Sequence, residues 1–274
     1  MRLTAALLVA CLLSGCSMVR LAYESADSYL RYRAGAYLDV HGEQADELDA
    51  AIDAFHDWHR KQALPQYARF AGEAAQRVDD GLTPEDLVWG YDSLIAQTRI
   101  GLREAARRIA PLLGRLDAQQ IAHIESRLAE ENRRFEKEFL RGAEPARRER
   151  RAERVVKRLE DWVGRLSQAQ VERVRQYSER VPLLAGMRLA DHKRLQAAGL
   201  ELLRSQRIEA LPAFVAHWDR DRDPAYATAI ANARRELFAL LLELDGMLSP
   251  GQRAHAVANL RRYAADFQLL SEKR

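Results

Sequence analysis

The sequence predicts an all-α protein, a bundle of antiparallel helical hairpins that is elongated or folded into two lobes. Three observations predict it. Ala, Leu, Arg and Glu dominate the 274 residues, while Gly and Pro, which interrupt helices, number only 14 and 8. Apolar residues recur at helical spacing, as at Ile121, Ile124 and Leu128, or at Val155, Val156, Leu159, Trp162 and Val163. No stretch alternates polar and apolar residues long enough to make a strand.

Caps and breakers place the helices in order. The first runs from Leu21 to about Val40, the second from Gln44 to Ala63, and the third from Pro65 to Asp79, ahead of Gly81. A fourth runs from Pro84 to about Ile109, where Pro111 marks a break. The rest span Ala118 to Leu140, Pro145 to Val163, Gln168 to Arg180, Leu189 to Ala210, Pro212 to Asp219, Pro224 to Leu244 and Pro250 to Leu270. Short links make sequential helices antiparallel neighbours.

A different kind of segment precedes these helices. Arg2 is followed by an apolar run from Leu3 to Leu13, far short of the ~20 residues that span a bilayer, and the run closes on Leu13-Ser14-Gly15-Cys16. Those four residues resemble a bacterial lipobox. The resemblance implies cleavage before Cys16, a covalent N-terminal lipid on Cys16 as the only attached group, and attachment to a membrane through acyl chains. Ser17, by resemblance to enterobacterial lipoproteins, favours the periplasmic face of the outer membrane. Residues 1–15 are then a signal peptide and 16–274 a periplasmic domain. Cys11 leaves with the signal and Cys16 carries lipid, so no thiol remains for a disulfide, a Cys-based zinc site or a nucleophile.

Charge is nearly balanced, with a formal net charge of +3, but it is locally uneven. Arg147, Arg148, Arg150, Arg151, Arg154, Lys157 and Arg158 crowd one helix. The secretion signal excludes nucleic acid as their partner. They are left as a contact for anionic lipid or another envelope polyanion, or as a solvated face paired with Glu144, Glu149, Glu153 and Glu160.

The sharpest internal signal is a pentad that opens helices. It occurs at Leu82-Thr83-Pro84-Glu85-Asp86, Leu116-Asp117-Ala118-Gln119-Gln120, Leu166-Ser167-Gln168-Ala169-Gln170 and Leu248-Ser249-Pro250-Gly251-Gln252. Its second residue suits an N-cap, and the acid or amide three positions on can reach back to complete a capping box. A second echo joins Ala63-Leu64-Pro65 to Ala210-Leu211-Pro212, with His123 and His255 each seven residues after a pentad Leu. These echoes suggest an internal duplication with halves at 17–140 and 145–274.

The pentads resemble the Leu-Thr-x-x-Gln motif of small periplasmic stress chaperones, all-helical proteins that bind unfolded clients on a concave surface. A wider resemblance covers nearly the whole chain: the lipobox, Tyr23, Tyr29, Tyr32 and Tyr37, Gln44, then Trp58-His59-Arg60 and Leu64-Pro65-x-Tyr67. The chain is similar there to an uncharacterised family of proteobacterial lipoproteins known only as a domain of unknown function.

The segment His56-Asp57-Trp58-His59-Arg60 is the place to look for chemistry. His56 and His59 lie three apart on one helical face, a spacing from which two metal ligands can converge if Asp53 or Asp57 joins them. The competing reading packs Trp58 in the core and bonds His59 and Arg60 to neighbouring carbonyls or acids. No complete metal-ligand set, Gly-rich phosphate loop or nucleophile elbow occurs. The expectation is therefore a binding protein, not an enzyme: a chaperone-like or scaffold module for envelope proteins. Its alternatives are an assembly partner of an envelope complex and a metal-sensing helical protein.

Overall fold

A computed structural model describes residues 18–273 of the chain. The N-terminal segment with Cys16 lies outside the described residues. Among the described residues there are helices and their connections and no strand, so the fold is all-α. No described helix is long and apolar enough to cross a membrane.

Helix α1 covers Met18–Glu24 and α2 covers Ala26–Leu38. The single helix expected there is broken at Ser25, whose hydroxyl donates back to the carbonyls of Leu21 and Ala22. Asp39, in the left-handed conformation, then turns the chain into α3, Glu43–Trp58. Instead of stopping and restarting at Leu64-Pro65, the helix widens into a π turn over His59–Ala63 and continues as α4, Leu64–Asp80. The Leu64 N–H reaches back five residues to the His59 carbonyl. A proline ring would collide with the carbonyl four residues earlier in a regular helix, and the wider turn makes room for Pro65.

Helix α5, Pro84–Leu113, runs through Pro111, because a missing N–H so near the end removes only one bond of the last turn. Helix α6, Ala118–Phe135, ends in a second π turn, Glu136–Leu140. Next come α7, Glu144–Val163, and α8, Gln168–Arg180. Helix α9 covers Ala185–Arg204 and starts earlier than expected, a few residues after the extended Val181. It also ends earlier, since Gln206 has φ 55° and a 3₁₀ turn, Ile208–Ala210, follows. Helix α10 is Leu211–Ala216, α11 Pro224–Gly246 and α12 Pro250–Glu272.

These helices build two bodies. In the first, Leu38, Val40, Leu48, Ile52, Leu112, Leu116, Ile121 and Ile124 pack with Leu200, Leu203 and Ile208. In the second, Val174, Tyr177, Val181, Leu240 and Leu244 pack against Val155, Val156 and Leu159 of α7. Corresponding helices meet in both: α2 with α3 and α6 in the first, α7 with α8 and α12 in the second.

Each body then takes a helix from the other half of the chain. Helix α4 follows α3 of the first body but packs antiparallel on α12 of the second, with Tyr67 against Phe267 and Arg261 paired to Asp79 at 3.2 Å. Leu64, Ala68, Ala71 and Ala75 form the buried stripe of α4, and the small size of the three alanines lets the two backbones approach closely. Helix α9 follows α8 of the second body but packs antiparallel on α6 of the first. Asn132 and Gln196 exchange amide bonds there at 2.7 and 3.2 Å, and Arg204 pairs with Glu125. Because Leu200, Leu203 and Ile208 enter the first core, that core does not follow a cut at residues 140–145. Helix α5, about 45 Å long at 1.5 Å per residue, spans both bodies.

Candidate functional site

All four pentads form capping boxes, at Thr83 with Asp86, Asp117 with Gln120, Ser167 with Gln170 and Ser249 with Gln252. Two of them also meet across the second body. Gln170 Nε2 donates to Gln252 Oε1 at 3.1 Å and to the Met247 carbonyl at 3.1 Å. Gln252 Nε2 donates to Gln170 Oε1 at 3.0 Å and to the Arg165 carbonyl at 2.9 Å. Each Oε1 accepts in addition from the N-cap backbone, Ser167 N–H at 2.8 Å and Ser249 N–H at 3.0 Å. Every donor and acceptor of both carboxamides is thereby used, which is what permits Gln170 to be only 1% exposed.

The first body repeats this lock with a partner that the pentad pattern missed. Gln120 Nε2 donates to Gln44 Oε1 at 2.7 Å and to the Asp39 carbonyl at 3.0 Å, and Gln44 Nε2 donates to the Arg115 carbonyl at 3.2 Å. Val40-His41-Gly42-Glu43-Gln44 is thus a fifth pentad, hidden because His41 does not cap and Gly42 takes the N-cap. The Leu82 pentad caps without pairing. Its fifth residue is the carboxylate of Asp86, which has no donor to offer a partner amide and binds Arg77 instead. Of the two echoing histidines, His123 bonds the Ala36 carbonyl at 3.1 Å, whereas His255 is exposed and Asn259 bonds the matching Trp162 carbonyl at 2.9 Å.

The His56–Arg60 segment lies at the π turn, against α1. The Tyr23 ring stacks on His56 at 4.6 Å, and its hydroxyl shares a 3.1 Å hydrogen bond with His59 Nδ1. Burial and the neighbouring His56 lower the pKa of His59 to about 4, so the ring is neutral at pH 7. Burial also raises Tyr23, which keeps its proton. Among the described residues no third His, Cys, Asp or Glu joins this pair in a metal-holding group, and Asp57 instead pairs with Lys61 at 2.7 Å. Trp58 is half-buried, with the Arg108 guanidinium 5.5 Å from its ring, and Arg60 donates to the Lys273 carbonyl at 3.4 Å.

From this cluster a chain of rings leads to a groove. His59 meets Tyr67, Tyr67 meets Phe267, Phe267 meets Tyr263 and Tyr263 meets Trp162, with centroids 5.4 to 6.1 Å apart. The last four rings, with Phe70, Ala71 and Leu260, line a groove of about 360 Å³ between α4, α5, α7 and α12. Ser93, Leu94, Gln97 and Thr98 of α5 form its rim, and no charged residue lines it. Leu94 is 56% exposed and Trp162 38%. Beyond Trp162 and Leu260 a second apolar hollow of about 220 Å³ continues between Leu82, Leu159, Leu241 and Leu248, reaching Gln170 of the lock. Clefts of ~300 Å³ and above, apolar with a few polar groups, are typical of binding sites.

The basic run has a largely structural use. Arg148 and Arg151 reach the carbonyls of Ser178 and Val181, where α8 has run out of amide partners, and Arg151 adds that of Pro182. Arg150 donates to the Arg141 carbonyl and Arg154 stands over the Phe139 ring. One of the expected acid partners, Glu144, pairs with Arg148 at 2.6 Å. Lys157 and Arg158 are exposed.

No curated protein and no solved structure matches the chain. A family model does match, over residues 36–213, which takes in both partners of the first lock, the π turn after His59, all of α5 and the first pentad of the second lock. The chain therefore belongs to a family of unknown function, DUF6279.

Proposed function

We propose that the protein is a lipid-anchored module of the bacterial cell envelope, held by acyl chains on Cys16, that binds other envelope proteins through the groove between α4, α5, α7 and α12. It acts by binding and not by catalysis. The observation that carries this reading is an open, uncharged groove lined by Tyr67, Phe70, Trp162, Tyr263 and Phe267. Burying one Leu- or Phe-sized side chain there contributes about 1.5–3 kcal/mol, so a segment offering two or three can hold without any enzyme-like chemistry. The lipobox resemblance supports the address, and the pentads support a likeness to periplasmic chaperones, whose clients are unfolded chains.

The test uses the lipid-free chain from Ser17 onward and a reduced, aggregating client. Light scattering is expected to fall with the wild type and to fall far less with Leu94→Asp, which sets a charge on the groove rim while leaving the melting temperature unchanged. Equal suppression by both proteins, or none by either, overturns the reading. A single stoichiometric partner recovered by cross-linking in cells would favour a standing role in an envelope complex over a chaperone's.

A further inference from the structure

The face of α1 and α2 that turns away from both bodies carries no charge. Taken at 100° per residue, Leu21, Ser25, Ser28, Tyr29, Tyr32 and Ala36 fall on one stripe of this nearly continuous helix, and all six are exposed. Leu21 is 66% exposed, Tyr29 61% and Tyr32 74%, the highest exposures of large apolar or aromatic residues in the described chain. The opposite face is engaged: Tyr23 meets His56 and His59, Arg31 pairs with Asp27, Asp49 and Asp53, and Leu38 enters the first core. In a chain with 30% charged residues, an uncharged exposed stripe about 16 Å long from Leu21 to Tyr32 is a departure that packing within the molecule does not account for.

Its place in the chain identifies what covers it. Leu21 lies five residues after Cys16, and α1 begins two residues after it, so lipid on Cys16 leaves almost no linker between the bilayer surface and this helix. We propose that the stripe rests on the membrane at headgroup depth, so that α1 and α2 form an interfacial helix that continues from the acyl anchor and sets the orientation of the whole molecule. This rests on the lipid-anchor reading above. Tyr suits that depth, with an apolar ring and a hydroxyl that stays in water. A tether also keeps the local lipid concentration so high that a contact too weak to bind alone is occupied.

The test uses the full chain, processed in cells and reconstituted in phosphatidylethanolamine–phosphatidylglycerol vesicles. Tyr29→Cys, Tyr32→Cys and, at an exposed position of α9, Met187→Cys each supply one thiol for an environment-sensitive fluorophore. The mass of the N-terminal peptide reports acylation of Cys16. Acylated protein whose probes at 29 and 32 are blue-shifted, quenched by brominated lipid and shielded from iodide, while the probe at 187 is not, supports the proposal. Acylated protein with all three probes open to iodide overturns the proposal and leaves the anchor intact. An N-terminal peptide without acyl mass overturns the anchor reading, and the interfacial helix with it.

Discussion

At the scale of single residues, burial ties a polar side chain either to one protonation state, as at His59, or to a full set of partners, as at Gln170. His59 is the clearest titrating case. Its folded pKa of about 4 lies below the ordinary 6.5, so as pH falls through 6.5 the unfolded chain takes up the proton first and the folded state loses stability. The loss is absent above about pH 7, grows between 6.5 and 4, and is complete below that. The melting temperature is expected to fall between pH 7.5 and 4.5, and to fall less in His59→Phe; parallel curves for the two proteins would remove His59 from the account. Gln170 is the clearest neutral case. Replacing it with Ala strands the Met247 carbonyl and half of Gln252, a cost of about 1–3 kcal/mol. Gln170→Glu is expected to cost at least as much in urea unfolding at pH 7, because a carboxylate there faces two acceptors.

At the scale of elements, the pentad has two separable duties. Capping is a local duty that any of the four copies fulfils, and its loss costs about 1 kcal/mol. Locking two hairpin turns together through this position uses an amide on both sides, because an amide both donates and accepts where a carboxylate such as Asp86 only accepts. Gln170→Ala and Gln252→Ala should therefore be strongly non-additive, the double variant costing little more than either single one, whereas Gln170→Ala and Asp86→Ala should add. Double-mutant cycles by chemical denaturation distinguish the two. The capping boxes and most helix ends were legible in the sequence, since they depend on residues three or four apart. The pairing was not, because Gln44 and Gln120 lie 76 positions apart, Gln170 and Gln252 lie 82 apart, and nothing in a pentad specifies its partner. The π turn at His59 was illegible for a related reason: Leu64-Pro65 reads as a stop, and only continued packing of α4 on α12 favours widening the helix over ending it.

At the scale of the whole molecule, the exchange of α4 and α9 binds two bodies into one folding unit. The first core is incomplete in residues 18–140, which lack Leu200, Leu203 and Ile208, and residues 144–273, although they hold the second core, lack α4 to cover α12. Urea unfolding followed by far-ultraviolet dichroism and by tryptophan fluorescence should give one coincident transition. A fragment ending at residue 140 should not show cooperative unfolding. Two separated transitions, or a cooperatively folding fragment, would contradict this interlocking. The groove belongs to this scale as well, because its walls come from α4 and α5 of one half and α7 and α12 of the other.

By itself the sequence determined the helical class, the caps, the presence of only two cysteines and the lipobox resemblance, because composition, periodicity and short motifs act over a few residues. Only the tertiary structure decided which pentads meet, where the basic side chains spend their hydrogen bonds, and that the rings of Tyr67, Trp162, Tyr263 and Phe267 face one open groove. Those outcomes depend on helices distant in sequence packing against one another. A local pattern states what a residue can do but not which neighbour it will find.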